Sequence, residues 1–249
     1  MMSLSKANLM DVVKRQYVFK LKSYIQVFMT LVVLQLLAIL FSFNGAGMMG
    51  SSNASVEVDI QFYSADIVVV FTMLWAFITA ILITTKAYRN DDFAFVTNRL
   101  SSNLSNMIFL LTASILGATL AILSSYLMKV MMYFLGQQLV NTTNVTSVSV
   151  ELLLGITATI FYVLLASALG YFVGMLVQLN KIFIVLIPVL FFGSLFLGEV
   201  SGKGKFVTAA FEFLFMEHSL LLFIVKIIIT VGFLFTSAFV LSNRMEVRP

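Results

Sequence analysis

The sequence predicts an all-α polytopic membrane protein with six transmembrane helices and both termini in the cytoplasm. Three observations carry that prediction. Of 249 residues, 61% are hydrophobic and only 10% charged, where soluble domains carry about a quarter charged residues, so no water-soluble fold hides this much apolar surface. The apolar residues fall into runs free of Asp, Glu, Lys and Arg at 23–56, 67–85, 100–128, 152–180 and 182–198, and a sixth run, 220–241, is interrupted only by Lys226. Roughly 20 apolar residues cross a bilayer as a helix, so each run supplies one crossing, with 182–198 at the lower limit. Transmembrane β-strands would instead alternate apolar and polar residues over about 10 positions. No such alternation is read along the chain, which leaves helices as the way to satisfy the backbone in hydrocarbon.

Orientation follows from the third observation. Lys6, Lys14, Arg15, Lys20, Lys22, Lys86, Arg89, Arg99, Lys181, Arg244 and Arg248 fall on one side of the six runs, against Lys129, Lys203, Lys205 and Lys226 on the other. Acids lean the opposite way, with Glu57, Asp59, Asp66, Glu151, Glu199, Glu212 and Glu217 outside. Lys and Arg collect in short cytoplasmic segments, so both ends belong inside. The net charge of +4 is then the topology signal plus affinity for anionic headgroups, and it requires no nucleic-acid partner.

Taken in order, residues 5–22 read as an amphipathic helix lying in the inner interface. Leu9, Met10, Val12, Val13, Tyr17, Phe19 and Leu21 share a broad face and Asp11, Lys14, Arg15 and Lys22 the other, with Gln16, Val18 and Lys20 as exceptions. Span one covers about 24–43 and ends in Asn44-Gly45-Ala46-Gly47 without a clear cleavage signature, so it is read as a span rather than a removed signal peptide. The connections 44–64 and 136–149 are rich in Gly, Ser, Asn and Thr and read as exposed loops. Spans two to five cover about 67–85, 106–128, 152–177 and 182–198, with Pro188 and Gly193 permitting a kink in the fifth. Between spans two and three, residues 86–105 mix both signs of charge with aromatic Tyr88, Phe93 and Phe95, as a docking element for a cytoplasmic partner would. Residues 199–219 form an outer element: the part at 205–216 is too short to span and too apolar for open water, so it dips into the outer leaflet. Span six covers about 220–241, and residues 1–249 make one transmembrane domain.

Inside the membrane, small residues recur every four positions at Thr72, Ala76, Ala80 and Thr84, at Ala113, Gly117, Ala121 and Ser125, and at Ala166, Gly170 and Gly174, a pattern for close helix packing. Gln35 is the lone strongly polar side chain in the middle of span one, and either bonds to a neighbouring helix or faces a transport path. Lys226 sits inside the outer end of span six, with Glu212, Glu217 and His218 as nearby partners, and either pairs or snorkels. One histidine and no cysteine make neither a conventional zinc site nor a disulfide. No paired acids, His cluster or Ser/Lys dyad sits in the spans, so no catalytic, cofactor or metal site is expected. The stretch 198–204, GEVSGKG, is one residue short of a phosphate loop and follows no strand. Acids expected of an ion-coupled carrier are missing from the span centres. If the chain moves something uphill, another subunit supplies the energy.

The whole pattern resembles a type-2 ABC transporter permease, the transmembrane subunit of ATP-driven exporters. The resemblance rests on the basic amphipathic segment 5–22, six spans, the inner loop running from Asp91-Asp92 to Thr97-Asn98-Arg99, the outer element at 206–216 and the basic tail 243–248. Where the family carries Glu and then Pro before the Arg, this chain has Asp91-Asp92 and Thr97. The resemblance implies a bacterial inner-membrane homodimer or heterodimer of permeases on two cytoplasmic ATPases that bind ATP and Mg. It also implies that 86–105 is the coupling element, through Arg89, Asp91, Asp92, Phe93, Phe95 and Arg99. Gln35, Thr72 and Thr79 would lie near the substrate path, and Glu212, Glu217, His218 and Lys226 at an outer gate. Small apolar permeases of this kind resemble exporters of amphipathic peptides, toxins and lipid-like drugs, hence of antimicrobial-peptide resistance. The alternatives are the substrate-binding membrane module of a vitamin importer and a non-transporting immunity or structural protein.

Overall fold

Apolar runs of this length satisfy their backbone in hydrocarbon as helices, and helices dominate the fold. The computed structural model describes residues 8–43, 47–53, 56–62, 66–88, 98–135, 145–201, 209, 212–213, 216–217 and 219–244, with backbone only at 47–53, 56–62, 145–149, 151, 195–201 and 244. The elements are α1 (Leu9–Ser23), α2 (Ile25–Ser42), β1 (Gly47–Asn53), β2 (Val56–Phe62), α3 (Asp66–Thr84), α4 (Arg99–Phe134), α5 (Val145–Leu179), α6 (Phe183–Ser201) and α7 (Leu220–Arg244). Among the described residues, five helices are long and apolar enough to cross a membrane: α2, α3, α4, α5 from Leu152 onward, and α7. The chain is a multi-pass helical membrane protein. In α6, which contains Pro188, the described apolar stretch is the shorter Phe183–Ser194.

The bundle is built around α5, which packs on α3, α4 and α7. Small residues make that packing close. A Cβ on Gly170 would run into the backbone of Phe77, and one on Gly174 into the Thr84 hydroxyl. On α4, a Cβ on Gly117 would meet Thr72 Cγ2 at 3.2 Å. The small-residue stripes therefore face one another, as expected where lipid offers no hydrophobic drive and dispersion needs short distances. By contrast α6 makes its main contact with α5, and its apolar side chains from Ile184 to Phe192 are largely exposed.

Two ends can be told apart. Tyr24, Ile83, Phe109, Tyr171, Met175 and Ala238 cluster at the end where α1 lies, and Ala38, Ile39, Val68 and Ala121 toward the other. Helices α5 and α7 run parallel. Near one end the Phe223 ring lies 4.7 Å from that of Tyr162, and near the other Phe235 lies 5.8 Å from Tyr171. Hence α5 finishes at the α1 end, and α7 begins at the opposite one.

Four expectations need correction. The connection 44–64 holds an antiparallel hairpin, paired from Gly47↔Phe62 to Asn53↔Val56. Its second strand does alternate, with Val56, Val58, Ile60 and Phe62 between Glu57, Asp59 and Gln61, the two-residue period of a strand. The third span begins within the predicted loop: α4 starts at Arg99 and has 36 residues, about 54 Å at 1.5 Å per residue. That exceeds the roughly 30 Å hydrocarbon core, so its polar first turns belong to the bundle's end. Likewise α5 starts at Val145, inside the predicted loop 136–149. The fourth correction concerns which face α1 buries.

Candidate functional site: a buried polar seam at one end of the bundle

Helix α1 is locally well specified. Asn8 accepts from the Met10 N–H at 3.3 Å as N-cap, Asp11 lies in the first turn, and Lys20 and Lys22 in the last, each sign complementing the helix dipole. The helix ends where the Tyr24 N–H donates to the Lys20 carbonyl at 2.9 Å, and α2 restarts with Val27 N–H on the Tyr24 carbonyl at 3.0 Å. Tyr24 is buried at this joint, edge-on to Tyr88 at 4.7 Å and to Phe109 at 5.9 Å.

The face that α1 buries is not the broad apolar one. Its buried residues are Val13, Gln16 and Lys20, so two of the three exceptions to the amphipathic pattern are the most deeply inserted polar groups. Gln16 is 0% and Lys20 1% exposed, whereas Met10 is 63% exposed. The reason lies on α4, whose first turns present Ser101, Asn103, Ser105 and Asn106, all buried. A polar stripe on α1 meets a polar stripe on α4, and polar groups can be buried where they bond one another.

The bonds form a relay across three helices. The Lys20 ammonium donates to Ser105 Oγ at 2.8 Å and to Asn106 Oδ1. Asn106 Nδ2 donates to the Tyr171 hydroxyl at 3.4 Å, which donates in turn to Asn103 Oδ1 at 2.8 Å. Ser105 also donates to the Ser102 carbonyl at 2.8 Å. Hydrogen bonds to a charged group are worth about 1.5–3 kcal/mol, which offsets part of the cost of burying the Lys20 ammonium. The seam is not fully satisfied, however. Both amide atoms of Gln16, and Asn103 Nδ2, are buried without a hydrogen-bond partner; such an atom costs about 1–3 kcal/mol.

Of the predicted coupling residues, Arg89, Asp91, Asp92, Phe93 and Phe95 lie outside the described residues. Arg99 is the first residue of α4, and its Nη1 donates to the carbonyls of Ser242 at 2.8 Å and Asn243 at 3.2 Å. It thereby caps the end of α7, whose last carbonyls have no partner within the helix. Gln35 and Thr72 are brought together: Gln35 Nε2 donates to Thr72 Oγ1 at 3.0 Å and to the Gly117 carbonyl at 3.2 Å. Both are buried in the bundle, as is Thr79. At the opposite end Lys226 forms an ion pair with Glu217 and lies 4.5 Å from the Phe213 ring centroid, an approach that favours a cation over the ring face. Glu212 is exposed, and His218 lies outside the described residues.

Sequence reasoning missed the seam as a site: Gln16, Asn103, Asn106 and Tyr171 were not singled out. The signal was the run Ser101-Ser102-Asn103-Leu104-Ser105-Asn106, too polar for hydrocarbon, together with Gln16 and Lys20 one helical turn apart. Models of known families, curated proteins and solved structures were all compared with the chain, and none matches.

Proposed function

We propose that this chain is the six-span permease subunit of an ATP-driven exporter in a bacterial cytoplasmic membrane. In this reading two copies of a cytoplasmic ABC ATPase bind ATP and Mg, a second permease subunit completes the pair, and the substrate is a hydrophobic or amphipathic peptide, toxin or lipid-like drug. One observation supports it most. Arg99, where the charged segment 86–98 enters α4, grips the last carbonyls of α7, and about two turns further on Ser105 and Asn106 grip Lys20 of α1. A push on that segment therefore acts on α1, α4 and α7 together. This is the mechanical requirement of a coupling element, and it leaves the energy source to another chain.

Two features support the topology. Helix α5 finishes at the α1 end and α7 begins at the opposite one, which supports reading α6 as a sixth crossing. Lys14, Arg15, Lys20, Lys22 and Arg99 gather at the α1 end, which the bias of Lys and Arg assigns to the cytoplasm. The Lys226–Glu217 pair then lies at the outer face.

The test is purification of the tagged chain from its native membranes, assayed for ATP hydrolysis. The expected result is co-purifying ATPase activity that falls to background in the variant carrying Asp91→Ala, Asp92→Ala and Phe93→Ala. Absence of activity from both preparations, or full activity with the variant, overturns the coupling role. Equal peptide resistance and secretion with and without the gene overturns the exporter role.

A further inference from the structure

The geometry of the seam points to a device that the permease reading does not require: we propose that α1 docks reversibly, lifting from α4 about the joint at Ser23–Tyr24 so that Gln16 and its neighbours meet water. The first ground is the unspent hydrogen-bonding capacity in the docked state. Gln16 is fully buried, yet neither its amide nitrogen nor its amide oxygen has a partner, and the Asn103 amide nitrogen across the seam has none either. Undocking gives the Gln16 amide to water, which favours opening, while the Lys20 bonds to Ser105 and Asn106, Val13, and the half-buried Tyr17 and Leu21 favour closure.

The second ground is what α1 shows to the outside. Met10, Val18 and Leu9 are exposed beside exposed Lys14, Arg15 and Lys22, the mixture that lets a helix lie in a headgroup layer. A lifted α1 therefore has a place to rest without refolding. The third ground is the joint. Helix α1 ends at Ser23, α2 begins at Ile25, and the buried Tyr24 between them has φ −101° and ψ 28°, outside the helical region. The break lets α1 swing while Tyr24 stays anchored between Tyr88 and Phe109.

The chain has no cysteine, so single thiols report directly. Purified full-length protein in lipid nanodiscs is treated with a charged, water-soluble maleimide. Three variants are compared: Gln16→Cys in the seam, Lys14→Cys on the exposed face and Leu31→Cys in the span core. A minor open state populated at about 0.1–10% makes Gln16→Cys react about 10- to 1,000-fold more slowly than Lys14→Cys, with Leu31→Cys unreactive over the same period. A Gln16→Cys thiol as inert as Leu31→Cys overturns the proposal. A second reporter guards against a defect of that variant: Val13→Cys lies on the same docked face, 2% exposed. Adding Gln16→Leu removes the unpartnered amide and should slow its labelling about fivefold or more. Unchanged or faster labelling contradicts the assigned role of Gln16.

Discussion

Gln35 shows what a single polar group does in this bundle. Its amide nitrogen ties α2 to Thr72 of α3 and to the Gly117 carbonyl of α4. Thr72 spends its own proton on the Val68 carbonyl at 2.7 Å, which leaves its oxygen free to accept. A double-mutant cycle of Gln35→Leu and Thr72→Val, followed by unfolding in bicelles, should give a coupling of about 0.6 kcal/mol and no more than about 1.7 kcal/mol, the range for hydrogen bonds between spans. Additive single effects would contradict the tie. The sequence offered bonding or a transport path for Gln35, and in the structure its amide bonds neighbouring helices. Lys226 was legible in the same way, because Glu217 lies nine residues upstream at the same end of the helix. Gln16 and Lys20 were not. A helical wheel ranks faces by their apolar content, whereas the buried face of α1 is selected by the polar stripe on α4, which is remote in sequence.

Among the elements, the end of α7 depends on a side chain from another helix. Arg99 spans 143 positions in sequence to reach the Ser242 carbonyl. Arg99→Ala should therefore fray the last turn of α7. Amide hydrogen exchange at 240–244 should speed about tenfold or more, given about 1.5–3 kcal/mol for a charged hydrogen bond, while exchange at the centre of α7 stays unchanged. Arg99→Lys should recover part of the protection. Unaltered exchange in Arg99→Ala would show that the cap adds nothing. Helix existence was read correctly from the apolar runs, but the helix ends were not. Residues 99–105 looked like loop because they are polar, yet they are helical because α1 covers them. The hairpin was missed because only β2 alternates. Its partner, Gly47-Met48-Met49-Gly50-Ser51-Ser52-Asn53, carries no strand pattern, and pairing is a property of two segments.

For the molecule as a whole, composition and the length of the apolar runs were enough to read a multi-pass helical bundle, because both follow from the bilayer rather than from packing detail. The organisation of its α1 end was not legible, since it depends on contacts between residues 16–24, 99–106, 171 and 242–243. That end joins α1, the first turns of α4 and the last turn of α7 into one unit, and the charged segment leads straight into it. In the proposed function this segment lies in the cytoplasm in the grip of an ATPase. A photo-crosslinking amino acid placed at Phe93 and activated in living cells tests it most directly. The expected result is a crosslinked product whose second chain is an ABC ATPase, formed in the cytoplasm and lost when Asp91 and Asp92 are replaced by Ala. A residue 93 that reacts only with reagents added outside the cell, or that crosslinks to lipid alone, would contradict it.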